Sequence, residues 1–564
     1  MSVTPKLKFA IMCQSDHLRR WQYEAIEQLV ATGLAEPVLV IRPTDIAATK
    51  PYASGIRGAL QRDFPFRLYN HLCVKYRQPA LQTVDASNLL DGLERMVVSP
   101  IKQGKYRESF ATEDLEKIRQ HAPDFILRFA FNILQGEILT LPKYGLWSFH
   151  HGDEQHYRGT PPGFWEVFEG NPVTGVILQR LTEKLDGGII LQKGYFGTQT
   201  SYGGNVNHIH RQASFFAAKT VQEILQGRQL PEQPVPTNAP IYKTPGPLAL
   251  INYFGKRFIR LTKKLRDRCF YIELWNIGVS QATVEQVIEQ GDLGTIDWLE
   301  RDVPARKYTD YLADPFGYMK ENELQVIAED YSYRTAKGTL SHLSYQSGWK
   351  ESSAKPYHEE KEHLSYPCMV KINGQEYCIP EIAEAKEIRL YRFNPEKPLE
   401  FERAILPGTA AVDATYLHHE NLHWIFFSRR GAGIYTHLEA YYAEAIEGEW
   451  KPHALNPLIC DVRGGRMGGN FIHHKDKLYR PGQDCSVSYG SALNLYEVQE
   501  LSPTHYKETL INRLEPDASS RYHDGLHTLN RVGDYWLVDG KYQQFCLFAL
   551  WYQLRLKLAA RKRR

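Results

Sequence analysis

Over roughly the first 225 residues, short unbroken apolar runs alternate with amphipathic stretches of helical period. LKFAIMC and PVLVIR read as strands around the helical DHLRRWQYEAIEQLVATG, followed by VVSPI and the helix ATEDLEKIRQHA. PDFILRFAF is apolar on both parities, as a central strand buried on both faces must be; LWSFH, TGVILQRL and a closing helix ASFFAAKTVQEILQG follow. This alternation predicts an α/β, Rossmann-like domain with a parallel sheet over residues 1–229. PEQPVPTNAPIYKTPGP, which offers neither helix nor strand interior, then opens a linker over 230–305. Within it, LINYFGKRFIRLTKKLRDRCF mixes basic and apolar residues at helical spacing, which suits a solvated helix face or one that meets a membrane or polyanion. From about residue 306 to 545 the pattern changes to short strand pairs separated by turns. Five similar units start near Asp314, Pro367, Asp413, Gly468 and Gly525, a repeat of about 50 residues that predicts an all-β domain built as a five-bladed β-propeller. A basic tail, 546–564, closes the chain.

Composition changes this picture little. With 43% hydrophobic and 24% charged residues and a net charge of +3 over 564 residues, nothing calls for nucleic acid as a partner. The eight cysteines are scattered without a CxxC or Cys/His cluster, so neither a zinc site nor a disulfide framework is expected. No signal-length apolar core follows the N-terminus and no run reaches the roughly 18 apolar residues of a membrane span. The expectation is a cytoplasmic protein, with peripheral membrane contact through FCLFALWYQLRLKLAARKRR at the C-terminus.

Candidate chemistry concentrates between Gly145 and Gly188. His150 follows the apolar pair Leu146-Trp147 and Asp186 follows the run VILQRL. If both close successive strands they meet at one sheet edge, where a carboxylate can fix the tautomer of a histidine base. Read singly, His150 fits better as a hydrogen-bonded core histidine and Asp186 as part of a strand-to-turn signal.

The ordered set of motifs in this segment resembles the folate-dependent formyltransferases. Ser148-Phe149-His150 stands at that family's Asn-x-His signature, Arg158-Gly159 at its RG turn, Thr174-Gly175-Val176 at its TGV strand and Leu185-Asp186-Gly187-Gly188 at its LDxG end. The resemblance implies formyl transfer from 10-formyltetrahydrofolate to a primary amine, without a metal. His150 would act as base or oxyanion donor and Asp186 would hold it. Backbone groups of Phe129, Ala130, Phe131, Asn132, Ile133 and Leu134 would surround the pterin. Ser148 departs from the pattern by putting a short hydroxyl where the family has an amide, and His151 stands beside it as a substitute donor. Loss of one such donor costs on the order of 3 kcal/mol. The GDEQ that follows places Asp153 and Glu154 either in a solvated loop or where they would recognise a cationic amine.

In the second domain, ADPF at Asp314 and PE at Glu381 resemble marks of five-bladed propellers in glycoside hydrolase and related sugar-binding families. Asp314, Glu381 and Asp413 are candidates for a carboxylate site or for turn hydrogen bonds, with Arg466, Asp484, His523 and Asp524 joining if the repeat starts converge. The expected function is formylation of an amino sugar in polysaccharide or glycoconjugate synthesis, with glycan at the propeller. The alternative is a catalytically degenerate folate-binding module fused to a sugar-binding or glycoside-processing propeller; methionyl-tRNA is a less favoured acceptor.

Overall fold

A computed structural model describes residues 6–44, 62–104, 106–184, 187–299, 310–349 and 354–562. The chain divides into two compact units, Met1–Leu261 and Thr262–Arg564.

The first unit is built on a seven-stranded sheet. Leu7–Met12 is central, flanked on one side by Ala35–Pro43 and Glu94–Val98 and on the other by Phe125–Arg128 and Leu146–His150, all parallel. Val173–Arg180 and Ile189–Gly197 complete it as antiparallel neighbours. The continuous apolar runs have the expected cause. Ala10, Met12, Ile126 and Leu39 pack against Leu115 and Ile118 of the helix Thr112–Gln120 on one face. Phe9, Phe125 and Trp147 stack on the other, with ring centroids 5.2 and 3.9 Å apart. One expectation changes here: Val173–Arg180 is antiparallel, so its end, Arg180, lies beside Trp147 and not beside His150.

The second unit is all-β apart from its helices, and its order is cyclic in sequence. Four sheets follow one another, with first strands Asp310–Lys320, Ser365–Ile372, Ala411–His419 and Arg466–Met467. A fifth joins the two ends of the unit, pairing Tyr271–Ser280 with Tyr535–Phe545 over ten residues and adding Ile296–Trp298 and Leu529–Val532. The expected linker 230–305 is thereby corrected, since Tyr271–Ser280 and Ile296–Trp298 within it belong to the β unit. Its basic helix forms as Pro247–Phe270, and the basic tail forms a helix, Ala549–Lys562. All eight cysteines are free. Among the described residues no helix is long and apolar enough to cross a membrane.

The first three sheets share one device. Asp314, Tyr366 and Asp413 sit at register shifts in their first strands with φ of 50°, 44° and 51°. Each bulge turns a backbone N–H away from its own ladder and towards a carboxylate of the preceding sheet. Asp314 N donates to Asp539 at 3.1 Å, Tyr366 N to Asp314 at 3.3 Å and Asp413 N to Glu381 at 3.1 Å. Aspartate tolerates the left-handed region; Tyr366 is held there by its hydroxyl, which meets Thr415 Oγ1 and accepts from Gly469 N, both at 2.8 Å.

Candidate functional site

In the first unit Phe125–Arg128 and Leu146–His150 lie side by side with Leu127 opposite Trp147, so Arg128 and Ser148 emerge together at the carboxyl edge of the parallel strands. That edge is where open α/β sheets bind ligands. Strand alternation puts Ser148 and His150 on one face and Trp147 and Phe149 on the other. Arg128 Nη1 donates to Ser148 Oγ at 3.2 Å, and its Nη2 donates to the carbonyls of Phe131 and Asn132 at 2.8 and 2.6 Å. Its Nε–H is buried and has no acceptor among the described residues. Burial lowers the Arg128 pKa, opposed by the Glu108 carboxylate. His150 is half-buried at the strand end. Gly152 makes room for it: a Cβ there would stand 3.0 Å from His150 Nε2 and 2.8 Å from the Tyr157 carbonyl oxygen.

His151 is not a substitute donor at this site. Its ring is buried on the opposite face, stacked 3.6 Å from His210 and edge-on to Trp21. Burial, then His210, holds the His151 pKa well below the usual histidine value; burial likewise pushes His210 down to about 3. Both rings are therefore neutral in the folded unit, whereas they charge near pH 6.5 once unfolded. The unfolded chain binds more protons below that pH, so stability present at neutral pH is lost on acidification, by up to about 1.4 kcal/mol per pH unit for each ring. Denaturant titrations of the first unit between pH 7 and 4 should show this slope, and a His151→Phe/His210→Phe variant should flatten it.

Asp153 and Glu154 do not await a cationic substrate, because Lys193 Nζ donates to both at 2.9 Å and His156 Nδ1 lies 3.0 Å from Asp153. In the loop from Phe129 to Leu134 several backbone groups are already engaged. Phe129 N donates to Met12 O, Ile133 N to Tyr106 O and Asn132 N to Glu108 Oε2. Phe131 is left-handed at φ 68° and packs on Phe110, Ala130 and Leu134 are buried, and Asn132 Nδ2 donates to Glu108 at 2.5 Å. Asp186 lies outside the described residues. Two positions on, Gly188 abuts the Gln179 side chain, with a Cβ only 2.2 Å from Oε1. Gln179 is the cross-strand partner of Ser148 and shares its face. Sequence reasoning missed Arg128 and Gln179. The first was visible as the lone basic residue within PDFILRFAF, the second only once the register was known.

In the second unit the structure brings Asp314, Glu381 and Asp413 into one buried cluster. Arg466 pairs with Asp413 through Nε and, at 3.1 Å, Nη2, while Gln483 Nε2 donates to Asp413 at 2.7 Å. His527, which sequence reasoning passed over for His523, lies between two carboxylates, 2.7 Å from Asp539 and 3.3 Å from Asp314. Burial opposes charge on His527, but Asp539 and Asp314 hold its pKa above the usual value. With each ring nitrogen facing a carboxylate, His527 is held from two sides. His523 is exposed, Asp524 is bound to the Gln543 backbone, and Asp484 pairs with Arg513, so these three stand apart from the cluster. A cavity of about 270 Å³ opens on the cluster, lined by Asp314, Glu329, Glu381 and His527 together with Trp275 and Tyr489. Burial and the Asp413 charge push Glu381 up to about 8, and burial pushes Asp314 up to about 6 against the pull of His527.

Residues 302–527 match the family described as glucosamine inositolphosphorylceramide transferase 1, N-terminal. The chain is 32% identical over 213 residues to glucosamine inositolphosphorylceramide transferase 1 of Oryza sativa subsp. japonica, an alignment covering 36% of this chain and 28% of that protein. It is also 32% identical over 127 residues to the methionyl-tRNA formyltransferase of Bacillus subtilis (strain 168), covering 22% of this chain and 39% of that protein. The chain thus spans well under half the length of either relative. Among solved structures, glycinamide ribonucleotide transformylase 1 from Symbiobacterium toebii aligns over 41% of this chain and 95% of its own at 11% identity and a TM-score of 0.28. The chain therefore joins a formyltransferase-like region to a large all-β region similar to part of the plant transferases.

Proposed function

We propose that the first unit transfers a formyl group from 10-formyltetrahydrofolate to the primary amine of an amino sugar, and that the five sheets of the second unit form a propeller whose central cavity binds sugar. The observation that carries the reading is the convergence of His150, Ser148 and Arg128 at one carboxyl strand edge. The site residues fit a formyl donor in one specific respect: a buried Arg128 Nε–H with no acceptor among the described residues, beside the Ser148 hydroxyl, suits a ligand carbonyl oxygen. When bound, 10-formyltetrahydrofolate supplies the activated formyl group. His150, half-buried, takes the proton that an attacking amine must lose. Arg128 and Ser148 donate to the oxygen that gains negative charge during attack. The guanidinium fills the place left by the shorter Ser148 side chain.

For the acceptor, an amino sugar is favoured by two things together. The plant relative's name contains glucosamine. The cavity of the second unit offers what a polyol needs, carboxyl groups for hydroxyls and Trp275 and Tyr489 for ring faces. The test uses the full chain with 10-formyltetrahydrofolate and a panel of glucosamine, its nucleotide conjugates, lipid-linked glucosamine and methionyl-tRNA, read by the mass gain of one formyl group. Formylation of an amino sugar that disappears in His150→Gln is expected. A panel in which no amine gains a formyl group, or transfer that survives His150→Gln, overturns the reading.

A second reading, glycoside processing in the second unit, rests on the unequal carboxyls: Glu381 keeps its proton at neutral pH while Asp314 titrates near 6. It requires release of a glycosidic leaving group that Glu381→Gln abolishes.

A further inference from the structure

The second unit carries an apolar and basic face that its own core does not use. The helix Ala549–Lys562 buries Ala549, with Tyr552 and Leu556 packed beside it, against the cluster of Ile272, Leu274 and Tyr333. Its other side turns Trp551, Leu554 and Leu558 outward at steps of three and four residues, so they form one stripe. Leu547 and Phe548, just before the helix, are 71% and 68% exposed. The end of Pro247–Phe270 extends this surface: Cys546 N donates to Phe270 O at 2.8 Å, Phe270 stacks on Phe545 at 6.3 Å, and Leu265 is exposed. Between the two helices a cleft of about 490 Å³ is lined by Lys264, Arg268 and Lys557, with Asp267 and Glu273. Asp267 is engaged by Arg266 at 2.6 Å.

Charge selects the occupant. Residues 262–268 and 546–564 together hold ten basic residues and one acidic residue, although the whole chain is only +3, so the remainder nets −6. Positive charge is concentrated on these two segments. A second copy presenting the same face would meet like charge, whereas an anionic lipid leaflet would be attracted. The apolar stripe supplies what charge alone does not, a set of large side chains to immerse below the headgroups, while lysine and arginine stems reach back to phosphate level. Arg555, stacked 4.7 Å over Trp551, already has this arrangement.

We propose that this face docks on an anionic bilayer, with Phe548, Trp551, Leu554 and Leu558 in the interface and Lys264, Arg268, Arg555 and Lys557 at its phosphates. The docking does not depend on the chemistry assigned to the first unit. It has a functional consequence, because Leu556 of the same helix lines the polar cavity of the second unit. A docked helix holds that cavity within one helix diameter, about 10 Å, of the headgroups, which suits a lipid-linked sugar.

Co-sedimentation of the full chain with phosphatidylcholine vesicles, with and without phosphatidylserine, tests the proposal. Binding at least about tenfold stronger to the anionic vesicles, and weakened by salt, is expected. It should fall by at least about tenfold in W551E/L554E/L558E and in K264E/K557E. These side chains are exposed, so the variants should melt as the parent does; Leu554→Gln alone should give a smaller, graded loss. Absence of binding to anionic vesicles, equal binding to neutral ones, or unchanged binding by the variants overturns the proposal. So does a concentration-dependent dimer that the same substitutions dissolve, which would make a second copy the occupant.

Discussion

An Arg128→Met variant is expected to lose about a hundred- to a thousandfold in the rate of formyl transfer, the cost of removing one donor from an oxygen that gains charge. The guanidinium makes two kinds of contact, and kinetics separates them. Nη2 clamps the carbonyls of Phe131 and Asn132, so loss of that clamp loosens the loop and raises the KM for the formyl donor. Nη1 and the acceptorless Nε stand beside Ser148, and their loss lowers kcat. Arg128→Lys keeps the charge but not the planar fork, and should remain impaired in both parameters. The informative rescue is Ser148→Asn placed in the Arg128→Met background. If the arginine compensates for the missing amide, restoring the amide should return part of kcat without returning KM. A rise in KM without a change in kcat, or no rescue by asparagine, would make Arg128 a purely structural clamp.

The second large effect is expected at Arg466. Its side chain and that of Asp413 are 8% and 2% exposed, and Arg466 also lies 4.9 Å over the Tyr489 ring. Arg466→Met leaves Asp413 buried with Gln483 as its remaining side-chain donor and Glu381 close by. Stranding a buried charge in this way costs about 3–5 kcal/mol. The loss should appear as a lower denaturation midpoint for the second unit, with the transition of the first unit unmoved. An Arg466→Met/Asp413→Asn double variant removes both charges and should recover part of the loss, since asparagine also accepts the left-handed φ at 413. Equal stability of the single variant and the parent would show that the ion pair does not hold the cluster together.

The elements that were legible in the sequence are those whose signal is local. The run FILR within PDFILRFAF is a strand because Phe125, Ile126 and Leu127 are all buried, which only a central strand covered on both faces allows. The repeat starts were legible because each pairs a turn with an apolar strand: four of them lie in or beside the first strands of the four consecutive sheets, and Gly525 precedes Leu529–Val532 of the fifth. Less legible was the direction of Val173–Arg180, since the short apolar run Val176–Leu178 within it reads the same in parallel and antiparallel neighbours. The fate of Tyr271–Ser280 was hidden for a different reason. Its partner, Tyr535–Phe545, is separated from it by almost the whole unit, and no local pattern encodes that pairing.

Charged residues divide in the same way. Asp153 and Glu154 read as a solvated loop or as a mouth for a cationic amine because the lysine that engages both, Lys193, lies two strands away. His523 and His527 are alike in sequence, but only the second falls between Asp314 and Asp539. The sequence by itself determined the α/β and all-β division, the strand that carries Ser148 and ends at His150, and the residue types available to each site. Tertiary structure alone decided which of those residues meet: Arg128 with Ser148, and Asp314, Glu381 and Asp413 with Arg466, His527 and Asp539. Periodicity records which face of an element is buried, but sites are made where separate elements cross, and that depends on register and strand order acting over the whole chain.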